Sequence, residues 1–191
     1  PRARELLERQ KEVDSRAVYY PTVIPTAWEA GRGATIRDVD GNTYIDFVAG
    51  ISVLNVGHSN PQVVEAVKRQ LDKLTHALDI PTRERIALVE KLVEIAPEGL
   101  KGNSKVLFGG PTGSDAIEGA LKLAKYNTKH HTFLAFHGAY HGMTGGALSV
   151  TSKKAFKTGF LPLLPDIHFA PYAYCYRCAF GKEYPDCKMQ C

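Results

Sequence analysis

Residues 109–116 read Gly-Gly-Pro-Thr-Gly-Ser-Asp-Ala. Glycines let backbone come close to a ligand and aim its N–H groups inward. The spacing predicts a helix opening near Ser114, and a helix N-terminus adds free N–H donors and partial positive charge. The chemistry on offer is a grip on a phosphate. Further on, Phe136-His137-Gly138-Ala139-Tyr140-His141-Gly142 sets a phenol and an imidazole between glycines. A phosphate cup and an aromatic platform together point to a phosphorylated aromatic cofactor. Each residue also has a plainer reading. Gly113-Ser114 fits a loop with an N-cap serine, Tyr140 a core ring, His141 a structural histidine and Ile51 a packing residue.

A second cluster lies at the end of the chain. Cys175, Cys178, Cys187 and Cys191 are the four cysteines, crowded into one irregular, tyrosine-rich stretch. Four thiolates in close range can hold zinc tetrahedrally or an iron–sulfur cluster. Two local disulfides and four reduced thiols in a loop fit the same spacing, and the sequence leaves the three open. Tyr172, Tyr174, Tyr176 and Tyr184 read as packing for that loop.

The elements that must position these residues follow from pattern. Ala3 to Asp14 reads as a charged helix, and Pro21 and Pro25 impose extended backbone. Thr35 to Phe47 reads as a hairpin turning at Asp40-Gly41. Asn60-Pro61 fits an N-cap and first helical position, opening a helix to Leu74 that buries Val63, Val64, Val67 and Leu71. A further helix over Thr82–Ile95 buries Ile86, Val89, Leu92 and Val93. From Lys105 the expected grammar is strand (Lys105–Phe108), loop, helix, strand (Thr132–Phe136), a βαβ unit whose ligand loops sit at strand C-termini. The second strand lacks polar alternation, as for a sheet covered on both faces.

Four stretches in series resemble the class III aminotransferases, fold-type I enzymes that use pyridoxal 5'-phosphate (PLP). They are Asp38 to Phe47, Gly50 to Pro61, Thr112-Gly113-Ser114-Asp115-Ala116-Ile117-Glu118 with Leu121 to Ala124, and Phe136 to Gly142. Within the family the chain looks most like 4-aminobutyrate aminotransferase-like proteins, archaeal racemase-like relatives included. The resemblance implies an α/β fold with a mainly parallel sheet and flanking helices plus a smaller α+β N-terminal segment, only the first part of the fold being present. It divides the chain into residues 1–58, part of a small domain, and residues 59–191, the first part of the large cofactor domain with a cysteine-rich loop at 172–191. It further implies that Gly113 and Ser114 hold the phosphate, that Tyr140 lies on the pyridine ring with His141 in support, and that Ile51 lines the substrate entrance. A homodimer with its active site at the interface, an amine or amino acid donor and a 2-oxo acid acceptor belong to the same expectation.

Departures qualify it. Family members have Asn-Ser-Gly-Thr/Ser-Glu-Ala where this chain has Pro111-Thr112-Gly113-Ser114-Asp115-Ala116, and proline removes one N–H donor. Met143 stands where many relatives carry an arginine for a substrate carboxylate, so the carboxylate is held elsewhere or the substrate differs. No lysine matches the family's Schiff-base position, and the aspartate for the pyridine nitrogen is missing too. Lys153, Lys154 and Lys157 read as surface charges. The 191 residues are therefore expected to be part of a longer enzyme and not to catalyse transamination by themselves. A PLP-dependent amino-acid racemase of the same fold is the alternative, and a non-catalytic, metal-stabilised α/β module is the alternative from another class.

Composition narrows the rest. A net charge of +4 without a basic run argues against nucleic acid. No apolar window is long enough for a membrane helix, and the charged first residues do not form a signal peptide, so the cytoplasm is the expected location. A nucleotide P-loop is disfavoured because no Gly-Lys-Ser/Thr follows the glycines.

Overall fold

The computed structural model describes residues 2–189 and 191. The chain forms two units that divide between Thr82 and Arg83.

In the first unit, α1 (Arg2–Val13) is a charged helix laced by Arg4–Glu8 and Arg9–Glu12 pairs at 3.0 and 2.7 Å. These pairs are exposed, so each adds only a few tenths of a kcal/mol, about 0.3–0.5. The helix is also held from outside. Asp40 accepts the backbone N–H groups of Arg2 (2.6 Å) and Ala3 (3.1 Å), two of the donors a helix start leaves unpaired. After the single turn α2 (Tyr20–Val23), β1 (Trp28–Arg32), β2 (Thr35–Asp38) and β3 (Thr43–Ile45) form an antiparallel sheet in that order.

The expected hairpin is present, with Ile36 opposite Tyr44 and buried. Its turn is longer than two residues. Asp38 N–H donates to Asn42 O (3.0 Å), leaving Val39–Gly41 as a three-residue loop with Gly41 at φ +92°, the left-handed position such loops require. Asp38 is the hub. Its carboxylate accepts Asp40 N–H (3.0 Å), Asn42 N–H (2.8 Å), Asn42 Nδ2–H (2.9 Å) and Tyr44 O–H (2.8 Å). These bonds, the Asn42 side chain foremost, lower its pKa to about 2.

The segment from Asp46 to His58 leaves the sheet and returns to it. At its apex Ala49, Gly50, Ile51 and Ser52 all have positive φ (48°, 61°, 64° and 61°). Only glycine adopts that region freely, and other residues pay about 1–2 kcal/mol each. α3 (Pro61–Leu71) follows, and Asn60 Oδ1 caps it by accepting Gln62 and Val63 N–H, as its Asn-Pro start predicts.

In the second unit, α4 (Arg83–Glu94) precedes α5 (Gly113–Thr128), β4 (Phe133–Phe136), α6 (Gly145–Val150), the short α7 (Lys154–Lys157) and β5 (Ile167–Ala170). β4 and β5 pair in parallel, Phe133 opposite Ile167 and Phe136 opposite Ala170. The core is Ala135, Ala147, Leu148 and Val150 with Thr151.

Three expectations need correction. Residues 105–108 form no strand. Their apolar run suits one, but no segment among the described residues offers them a ladder. The parallel crossover is instead β4–α6–α7–β5; among the described residues the second unit has this one parallel pair, and the antiparallel triplet belongs to the first unit. The apolar stripes expected inside are open: Val63, Val67, Leu71 and Ile86 are exposed, as are Leu134 and Phe136 on β4. Accessible area agrees. The chain exposes 15624 Å², whereas two separate compact units of these sizes would expose about 11,000 Å².

Candidate functional site

The expected phosphate loop and aromatic loop both lie in the second unit, and the structure brings them together. Gly113 and Ser114 are the first two residues of α5. Their N–H groups precede the first one able to reach back a full turn inside the helix. The cap is Thr112, not Ser114. Thr112 Oγ1 accepts Asp115 N–H (3.3 Å), and the Asp115 carboxylate accepts Thr112 N–H (3.1 Å) and O–H (2.7 Å), a closed capping box. The threonine bonds hold the Asp115 carboxyl below the usual range. Asp115 thus carries full negative charge beside the helix end and partly offsets its attraction for an anion. Gly110 is required by this box, because a Cβ there would come 2.5–3.0 Å from the Asp115 carboxylate.

With the cap supplied elsewhere, the Ser114 hydroxyl is turned to the second loop. Met143 N–H donates to Ser114 Oγ at 3.4 Å. Gly142 sits at φ +127°, and a Cβ on it would collide with the Ser114 side chain. Tyr140 and His141 are the two residues before it. Their loop is pinned from below. His141 N–H donates to Thr151 Oγ1 (2.9 Å), whose hydroxyl is completely buried near Gly142 O (3.1 Å) and Ala147 O (3.0 Å). Gly138 N–H donates to Ser152 Oγ (3.0 Å). Tyr140 is largely exposed, its ring edge-on to Phe156 at 5.8 Å.

Glu118, one turn into α5, joins the two loops. Its carboxylate accepts Thr144 O–H (2.6 Å), Gly146 N–H (2.7 Å) and Ala147 N–H (3.1 Å). It therefore caps α6 from another helix, and these donors, Thr144 first, lower its pKa. Gly146 has no room for a Cβ against it. The [Ser/Thr]-x-x-[Asp/Glu] spacing at Thr112–Asp115 could have revealed the true cap; nothing local marks Glu118 as a partner of α6. Lys157 is also not the free surface charge expected. Its ammonium donates to Ser149 O at 2.9 Å and lies over the Phe169 ring, and burial lowers its pKa.

Cys175, Cys178, Cys187 and Cys191 are free thiols lining one small cavity of about 20 Å³ with Tyr172, Tyr174, Phe180 and Tyr184. Among the described residues, no group of three or more His, Cys, Asp or Glu side chains is placed to hold a metal. The zinc and iron–sulfur expectation gains no support. Backbone N–H groups of Lys182, then Phe180 and Gly181, draw the Cys178 thiol below its usual pKa. Among the described residues no helix is long and apolar enough to cross a membrane.

Ile51 belongs to the first unit. It lines an apolar recess of about 390 Å³ with Tyr20, Ile24, Trp28 and Val48.

A sequence profile of the family described as aminotransferase class-III matches residues 18–190. The chain belongs to the class III aminotransferase family. It is 39% identical over 178 residues to a diaminobutyrate–2-oxoglutarate aminotransferase of Rhizobium meliloti, covering 92% of this chain and 38% of the relative. It is 40% identical over 195 residues to a leucine/methionine racemase of Thermococcus litoralis, covering 100% of this chain and 42% of the relative. Among solved structures, the omega transaminase of Pseudomonas jessenii in complex with PMP superposes with a TM-score of 0.81 at 27% identity, over 93% of this chain and 41% of that one. The chain thus spans about two fifths of the length of these relatives. The likeness agrees with an α/β fold of the PLP-transaminase type.

Proposed function

We propose that the intact protein is a PLP-dependent enzyme that moves an amino group between an amine or amino acid and a 2-oxo acid. One observation carries the reading. The open amides of Gly113 and Ser114 at the start of a 16-residue helix meet, through Gly142, the loop that holds Tyr140 and His141. The residues fit a phosphorylated ring. Two N–H donors stand at the helix start, and Gly142, at φ +127°, lets the Ser114 side chain occupy the place a Cβ would take. In this reading Gly113 and Ser114 hold phosphate oxygens, Tyr140 covers one face of the ring and excludes water, and His141 supports it. When bound, PLP supplies an electron sink for the bonds at the substrate's Cα.

This chain's residues bind and orient. The lysine that forms the Schiff base and holds the transferred proton, and the carboxylate facing the pyridine nitrogen, are assigned to residues outside these 191. Residues 1–58 are assigned to a small domain and 59–191 to the first part of the large one. Ile51 is assigned to the substrate entrance, and a homodimer with a shared active site, located in the cytoplasm, completes the proposal. The exposed apolar stripes of α3, α4 and β4 are in keeping with an assembly larger than this chain.

A racemase is the second reading, favoured by similarity to the Thermococcus litoralis leucine/methionine racemase and to an alanine/serine racemase of Pyrococcus horikoshii, the latter 42% identical. Met143 beside the site, where a carboxylate-binding arginine would serve, is compatible with either. Incubating the complete protein with an L-amino acid, with and without a 2-oxo acid, tests both. Acceptor-dependent conversion of the 2-oxo acid to an amino acid is expected for transfer; D-isomer formed without an acceptor is expected for racemisation. Neither product, with full cofactor content, would overturn the proposal.

A further inference from the structure

The segment from Asp46 to His58 is built as a strained loop on a rigid base. At the base, Asp46 N–H donates to Ala34 O (2.8 Å), while His58 and Gly33 exchange backbone hydrogen bonds at 2.9 Å each. Both ends are thus fastened to the β1–β2 turn. Two glycines make the fit. A Cβ on Gly31 would come 2.8 Å from the His58 ring, and one on Gly57 2.9 Å from the Gly33 backbone.

The Asp46 carboxylate joins base to apex. Its Oδ2 lies 2.7 Å from His58 Nε2, with the carboxylate only 4% and the imidazole 19% exposed. Its Oδ1 accepts Val48 N–H (2.8 Å) and Ala49 N–H (3.0 Å), the entry to the turn with four consecutive positive φ values. Ionised Asp46 offers only acceptors, so His58 donates from Nε2 across this gap. The turn closes on itself through Ser52 N–H to Val48 O and Val53 N–H to Ala49 O (3.0 and 2.9 Å). Ile51 stands within it at φ 64°, a conformation a β-branched residue does not adopt unaided. Strain of this kind persists only where the surroundings over-determine it, and it concentrates at functional sites.

We infer that His58, acting through Asp46, is a positioning residue that holds the left-handed 49–52 turn and so presents Ile51 to the substrate. This rests on the reading that Ile51 lines the substrate entrance of a PLP enzyme. His58 touches neither substrate nor cofactor in this role. Its loss would blur the placement of the amine while leaving the cofactor loops of the second unit intact.

The test uses the complete enzyme with PLP. Wild type, His58→Ala, His58→Gln and the double variant His58→Ala/Ser52→Gly are compared for KM, kcat and bound cofactor. Glutamine can still donate to Asp46, and glycine at 52 removes strain without touching Ile51. In His58→Ala the KM for the amine is expected to rise on the order of 10- to 100-fold, with kcat and cofactor content within about twofold. Both other variants are expected to recover most of that loss. Should His58→Ala be insoluble, His58→Asn, too short to reach Asp46, takes its place with the same expectation. An unchanged KM in the alanine or asparagine variant overturns the inference, as does a parallel fall in kcat and cofactor content that Ser52→Gly does not restore. Wild type that binds no PLP sinks the parent reading instead, and the inference with it.

Discussion

Glu118 accepts the Gly146 amide at 2.7 Å from 28 residues away, and through this bond the helix that starts at the candidate phosphate loop also caps the helix behind the aromatic loop. The two halves of the site are therefore set against each other by one carboxylate, with Thr144 and Ala147 as its other donors. Replacing Glu118 by alanine strips three charge-assisted bonds and leaves partly buried amides unpaired. The expected cost is about 2–3 kcal/mol, read as a lowered urea midpoint of the complete protein, together with weaker PLP binding. Glutamine, which retains one acceptor oxygen, is expected to lose less.

Gly142 and Gly138 separate strain from space. Both have positive φ, at +127° and +87°, but only at 142 would a Cβ strike Ser114; at 138 nothing lies within 4 Å. Gly138→Ala is expected to cost about 1–2 kcal/mol of stability, the strain alone, with PLP affinity retained. Gly142→Ala is expected to weaken PLP binding as well, because the loop must retreat from the helix end. Titration of the two apoenzymes with PLP, followed by fluorescence quenching, distinguishes them. Equal affinities would mean that the contact between Gly142 and Ser114 does not shape the cofactor pocket.

Thr112, not Ser114, caps α5. Thr112→Ala is expected to destabilise the protein by about 1 kcal/mol, whereas Ser114→Ala changes stability little and lowers PLP affinity. Thermal melts with and without cofactor check the pair. A larger stability loss at Ser114 would reverse the assignment.

Acid should unmake the first unit through Asp38. Its pKa is lowered from the ordinary 3.8 to about 2, chiefly by the Asn42 side chain. A depressed folded pKa contributes stability that is complete above the unfolded value, 3.8, and is lost as pH falls towards 2. The hairpin and its hold on α1 through Asp40 are expected to persist at pH 5 and to weaken across that window. Asp38→Asn should flatten this acid limb, as followed by Trp28 fluorescence, since Trp28 pairs opposite Asp38.

Local patterns made several elements legible. Asn60-Pro61 announced α3, Asp40-Gly41 announced the hairpin, and the glycine run announced the start of α5. Each signal acts within a few residues. What stayed hidden depends on distant partners. Val106-Leu107-Phe108 has strand composition, but a strand exists only where a ladder exists, and composition cannot supply one. Ala49-Gly50-Ile51-Ser52 holds a single glycine, so nothing in its residues predicts four left-handed positions; the Asp46 carboxylate and its tie to His58 impose them. Glu118 has the look of any helical glutamate, and its partners lie 26–29 residues on. The apolar faces of α3 and α4 are plain in the sequence, but periodicity does not say what packs on them, and the burial expected of Val63, Val67, Leu71 and Ile86 is not found.

In the proposed site the Gly113 and Ser114 amides grip the phosphate of PLP while Tyr140 lies on its ring. A crystal structure of the complete protein with PLP tests it most directly. Phosphate oxygens are expected within hydrogen-bonding distance, about 2.7–3.2 Å, of both amide nitrogens, with the Tyr140 ring parallel to the pyridine. Phosphate bound elsewhere, or Tyr140 turned away from the ring, would contradict it.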